Sequence, residues 1–200
     1  MRVRISRSRR PAPRRERGAA LVEFAMVATI LCALVSGAWD YGQGWRSGLT
    51  ATEAARTGVR VGSSMGNDVT ADFEVLTGMR ANLSSSGRLD DVERVVIFQV
   101  TASNNGIVPP LCETGTAAGC HVIDGAAFRN MSTVWAASDY TATGCLQAAV
   151  GKGWCPTTRN EVQLTADTIG VYVRIRQDNM FGIIGDSLVI ERNAAMRLEP

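Results

Sequence analysis

The sequence predicts an α+β protein: one long N-terminal helix, then a small domain built on an antiparallel sheet. Three observations predict it. Ala19 to Trp39 is an almost unbroken apolar run. Helical spacing of small and apolar residues continues from Asp40 to Leu83. Three strand-like segments follow only in the second part of the chain. Helix first and strands later is the pattern of an α+β architecture rather than of alternating βαβ units.

The apolar run reads AALVEFAMVATILCALVSGAW. As a helix it is about 30 Å long, enough to cross the hydrocarbon core of a bilayer. Glu23 is its only charged residue. A carboxylate at that place costs on the order of 3 kcal/mol, less if it reaches the interface. Cys32 lies in the same run and reads as a small apolar packer. Thr29 is tolerated within it.

Charge gives the run a direction. Residues 1–18 hold eight arginines and one acid, a net of +7, which leaves −5 for the rest of a chain whose total is +2. Basic residues before an apolar helix hold that end in the cytoplasm. Trp39 and Tyr41 stand at the other end, where aromatic rings favour the interface. The expected organisation is a basic leader (1–18), a transmembrane helix (19–39) and an extracytoplasmic domain (40–200). The basic tail has no aromatic residue for base stacking, so no nucleic-acid partner is expected.

Beyond the membrane, Ala51, Ala54, Ala55 and Gly58 follow i, i+3, i+4, i+7 spacing. Such a stripe lets another element approach closely. Gly42, Gly44 and Gly48 each weaken a helix by about 1 kcal/mol, which predicts a flexible joint there. Gly62 to Asn67 reads as a stop and turn. Asp68 to Leu83 reads as a second helix, capped by Asn67 or Asp68, with Val69, Phe73, Leu76, Met79 and Leu83 on its apolar face. Strands are expected at Arg94–Thr101, Thr168–Arg176 and Ser187 onward to Leu198, the last after a turn at Gly182 to Asp186.

Between Asn104 and Asn160 the composition shifts to Gly, Ala and Thr, and the segment reads as an insert. It holds Cys112, Cys120, Cys145 and Cys155. Outside the cytoplasm an even number of cysteines suggests two disulfides, with three possible connectivities. Pairing 112 with 120 and 145 with 155 closes two short loops and is favoured. The competing reading is a metal site with His121, the single histidine. Its spacings lack the close C-x2-C pairs usual in structural zinc sites, so no metal and no cofactor are expected.

No catalytic residues are expected either. A Ser-His-Asp system would need His121, placed in a loop beside a cysteine. The sequence has no G-x-S-x-G, phosphate-binding loop or H-E-x-x-H motif. Asp90, Asp91 and Glu93 read as a solvated strand entry.

Gly18-Ala19-Ala-Leu-Val-Glu23-Phe resembles the prepilin-peptidase site of type IV pilin-like proteins. The longer stretch GAALVEFAMVATILCALVSGAWDYGQ resembles the opening of TadE-like proteins. Glu53-Ala-Ala-Arg-Thr-Gly58 and the close Arg197-Leu-Glu-Pro200 resemble segments of the same family, although Thr29 stands where many relatives carry proline. The resemblance implies a pilin-like fold and a non-catalytic role as minor pilin or pseudopilin in an adhesion pilus or a type II secretion-like filament. It implies cleavage after Gly18, a new N-terminus at Ala19, and Glu23 as the assembly residue. The implied partners are the membrane, a prepilin peptidase, other pilins and pilus-assembly proteins. Two alternatives remain open at this point. One is an uncleaved anchor presenting a binding domain; the other is a secreted binding domain released near Ser36-Gly37-Ala38.

Overall fold

The computed structural model describes residues 16–115, 118–182 and 185–199. Most of the basic leader and Pro200 therefore lie outside the described residues. The chain opens with α1 (Glu16–Met65), a single helix of 50 residues. It begins before Gly18, runs without a break through Gly42, Gly44 and Gly48, and passes the expected stop at Gly62. The turn comes at Gly66, which has a φ of +57°. There the left-handed backbone suits glycine.

The second helix, α2 (Ala71–Ser85), starts later than expected. Thr70 holds the cap position, and Asp68 Oδ1 accepts from the Thr70 N–H at 2.7 Å and its hydroxyl at 2.6 Å. Phe73, Leu76, Met79 and Leu83 are buried as the periodicity requires. Val69 is exposed, because it precedes the first helical turn.

Five antiparallel strands form one sheet, in the order β3-β2-β1-β4-β5. They are β1 (Val92–Val100), β2 (Cys120–Asp124), β3 (Gly151–Lys152), β4 (Thr168–Asp178) and β5 (Ser187–Arg197). Two short helices, α3 (Pro110–Thr114) and α4 (Gly125–Asn130), flank β2. The 104–160 segment is thus part of the sheet: it supplies β2 and β3.

The core follows from the two periodicities. Strand side chains alternate between faces. Val95 and Ile97 of β1 join Ile169, Val171, Val173 and Ile175 of β4 in the main core. There they meet Ala51, Ala54, Ala55 and Val59 of α1 and the buried face of α2. The alternate residues Val96, Phe98 and Tyr172 face the other way, under Val108 and Cys112. Burial on both faces explains why β1 is a continuous apolar run.

Candidate functional site

The most distinctive surface is the first half of α1. Its 18-residue apolar window has no residue buried against the domain. Leu21, Phe24, Ile30 and Leu34 stand exposed. In water this would be far more apolar surface than a soluble monomer carries. A single helix of this length and composition suits membrane anchoring. The hydroxyl of Thr29 donates to the Ala25 carbonyl, one turn back, so it adds no unpaired polar group to the arm. Ala19 and Glu23 are four residues apart in the helix and so share a face. At Gly18 an added Cβ would meet no atom within 4 Å.

From Asp40 the helix is held by the domain. Asp40 is buried, and its Oδ1 accepts the backbone N–H groups of Met180 (3.2 Å) and Phe181 (3.4 Å). Ser47 donates to Gln177, both buried. A Cβ on Gly44 would stand 2.5 Å from Leu188 Cδ2, and one on Gly48 would stand 3.3 Å from Arg192. These two glycines admit β5 to the helix surface. The flexible joint expected from them is therefore corrected: close approach by a strand, not mobility, is their structural use. The chain end is also tied to α1, by Ser63 Oγ to the Arg197 carbonyl and the Glu199 N–H to the Ser63 carbonyl.

A second cluster is wholly internal. His121 lies in β2, not in a loop, and is fully buried. Its Nδ1 lies 2.6 Å from Asp72 Oδ2. Its Nε2 accepts the Leu146 backbone N–H at 3.1 Å. A backbone N–H can only donate, so the ring is the neutral form protonated on Nδ1. Arg159 pairs with the other Asp72 oxygen and lies 4.6 Å above the Trp154 ring. Burial alone would raise the Asp72 carboxyl. The Arg159 charge and the His121 hydrogen bond outweigh it and hold the group below the ordinary carboxylate range. Phe73, Trp135 and Tyr140 close over this region, with Trp135 and Tyr140 stacked at 4.5 Å.

The chemistry of this cluster is structural. In a nucleophile-His-Asp system the second ring nitrogen faces the nucleophile; here it faces a main-chain amide. Asp72, His121 and Cys145 come within 4.8 Å of one another, a spacing open to a metal. But Cys145 is bonded to Cys155, and both imidazole nitrogens are engaged. This donor set does not fit a resident metal ion. The other disulfide, Cys112–Cys120, ties α3 to β2.

The acidic group at the entry to β1 is largely paired. Arg174 and Arg176 both bridge to Glu93, and Arg88 bridges to Asp91 at 3.1 Å. The expectation of merely solvated acids holds for exposed Asp90, not for these two.

Sequence reasoning placed Gly18, Ala19 and Glu23 on the arm and missed Asp40, Asp72 and Arg159. The structure does not bring the arm residues near the buried cluster. Asp40 sits at the end of the apolar run, where a charged residue had no visible partner. Comparison with known proteins gives one finding: the family model described as TadE-like protein matches residues 18–60. No curated protein and no solved structure matches the chain. The match covers the exposed arm and the glycine- and alanine-lined half of α1, and over that segment the chain is similar to TadE-like proteins.

Proposed function

We propose that this chain is a minor pilin or pseudopilin of a tight-adherence pilus machinery, non-catalytic and cleaved after Gly18 by a prepilin peptidase. The observation that carries this reading is the arm itself: an apolar helix, free of its own domain, with Glu23 as the single charge in its span. Residues 1–18 form the cytoplasmic leader, 19–39 cross the bilayer, and 40–200 form the extracytoplasmic domain. Cleavage creates an α-ammonium on Ala19. In an assembly, Glu23 of one subunit neutralises the Ala19 terminus of its neighbour. That pairing offsets the cost of two charges in an apolar setting. Other pilins and pilus-assembly proteins are then lateral partners of the arm. The domain supports this role by holding α1 rigidly from Asp40 to Ser63.

The N-terminal sequence of the protein purified from membranes tests the reading. A start at Ala19 is expected. A start at Met1 would make the chain a permanent anchor, and a start at Trp39 would make it a released domain; either overturns the proposal.

A further inference from the structure

β4 runs antiparallel to α1, down toward the arm. A Cβ on Gly62 would meet Ile169, and one on Gly58 would meet Val171. Lower on the helix, Ser47 bonds Gln177, and Asp40 bonds the amides of Met180 and Phe181. β5 then climbs back, with Leu188 beside Gly44 and Arg192 beside Gly48. The turn between the two strands therefore lies level with Asp40, one residue past the apolar run.

At this level large apolar side chains are exposed on both elements. Trp39 (55%) and Tyr41 (66%) stand on the helix; Met180 (78%) and Phe181 (51%) stand on the turn. Turns that face water are normally built from Gly, Pro, Asn, Asp and Ser. From Met180 to Gly185 this one reads MFGIIG, without a polar side chain. Several backbone groups at its two ends are paired within the domain. Asp40 takes two N–H groups, the Asn179 amide donates to the Gly185 carbonyl at 2.7 Å, and the Asn179 N–H donates to the Asp186 carbonyl at 2.9 Å. Exposed apolar side chains beside paired backbone N–H groups suit a low-dielectric surrounding.

We infer that the start of the β4–β5 turn is a second lipid contact: Met180 and Phe181 lie in the interfacial layer of the leaflet facing the domain, beside Trp39 and Tyr41. The inference rests on the reading that α1 spans the bilayer, and it deepens it. With residues 19–39 filling the hydrocarbon core, the headgroup layer extends roughly 5–7 Å further, about one helical turn. That layer includes the level of Asp40, so the spanning helix sets the depth of the turn. Trp and Tyr favour this layer, and large apolar side chains such as Phe bury at its boundary with the acyl chains. Two contacts fix the tilt of the helix and its domain together, whereas a lone spanning helix is free to tilt in the bilayer.

The test uses the full chain carrying Cys32→Ser, reconstituted in phosphatidylcholine vesicles with a minor share of phosphatidylglycerol. A nitroxide is attached at Phe181→Cys, with reference sites at Leu31→Cys in the arm and Leu164→Cys at the far end of the domain. Collision with oxygen is compared with collision with a water-soluble nickel chelate. The expected oxygen-to-nickel ratio at 181 is several-fold above that at 164 and below that at 31. A ratio at 181 equal to that at 164, with 31 still lipid-buried, overturns the inference and leaves the spanning helix intact. Nickel access at 31 as well overturns both. Shielding of 181 from both reagents, with spin–spin broadening that vanishes on dilution by unlabelled protein, means a second copy covers the turn, which also overturns the lipid contact.

Discussion

Asp72 and Arg159, 87 residues apart in sequence, form an ion pair in which both side chains are fully buried. The pair joins α2 to the segment after the Cys145–Cys155 bridge, and His121 adds β2. Breaking a buried pair by deleting one partner leaves an uncompensated charge, which costs about 3–5 kcal/mol. Asp72→Ala should therefore lose that much stability, read as a lower urea midpoint of the detergent-solubilised chain. Arg159→Met added to it should recover part of the loss, because the orphaned charge goes too. Additive losses in the double variant would contradict the coupling.

The same carboxyl predicts an acid limb. Its folded-state pKa lies below the unfolded value. A depressed carboxyl contributes stability that is complete above the unfolded pKa and is lost as pH falls through the folded one. The loss should begin near about pH 4, the unfolded value for aspartate. Asp72→Asn should be less stable at neutral pH but lose less on acidification. Urea midpoints of both proteins across the acid range check this. Identical acid slopes would remove Asp72 from the account.

Glycines of this chain divide by what surrounds them. At Gly42 an added Cβ meets no atom within 4 Å, inside α1. Gly42→Ala should stabilise by up to about 1 kcal/mol from helix propensity. At Gly170 an added Cβ would run into the Phe98 ring, which is itself fully buried. Gly170→Ala should destabilise by about 1–3 kcal/mol through overpacking. Thermal melts of the two variants should move in opposite directions.

Much of this architecture was legible because it is periodic. The alanine stripe of α1, the buried face of α2 and the alternation of β4 show their spacing in sequence, β1 shows as a β-branched apolar run and β5 follows a glycine turn, all to within a few residues at each end. β2 did not show. It is five residues long, begins with a cysteine and a histidine, and sits in a Gly/Ala/Thr-rich stretch. Its strand state comes from pairing with β1 and from the Asp72 carboxylate that satisfies His121. Those partners lie far away in sequence, so local patterning carries no trace of them. Gly44 and Gly48 misled for a related reason. Helix propensity records what a glycine costs but not which strand it admits.

Cys145 and Cys155 close a loop of ten residues beside the buried network. Removing the cross-link by Cys145→Ala with Cys155→Ala should cost about 2–3 kcal/mol on the chain-entropy account. The cost should be larger where Leu146 can no longer hold its N–H against His121. Denaturation of the variant alongside Asp72→Ala separates the two effects. If the bridge supports the network, the combined variant loses less than the sum of the separate losses.

Gly18 and Glu23 can be altered without disturbing the fold, because both stand exposed on the arm. At Gly18 a side chain has open space. Gly18→Phe should therefore fold and insert normally, yet remain at full length if the peptidase requires glycine before the cut. Glu23→Ala should insert at least as well as the natural chain, since a charge costing on the order of 3 kcal/mol leaves the apolar span. It should nevertheless fail to support filaments, because the Ala19 ammonium of the neighbouring subunit loses its counter-charge. Membrane fractionation, the mass of the mature chain and counts of surface filaments check these outcomes together. A Glu23→Ala strain with normal filaments would show that the carboxylate takes no part in assembly. A Gly18→Phe chain shortened at Ala19 would show that recognition does not depend on the glycine.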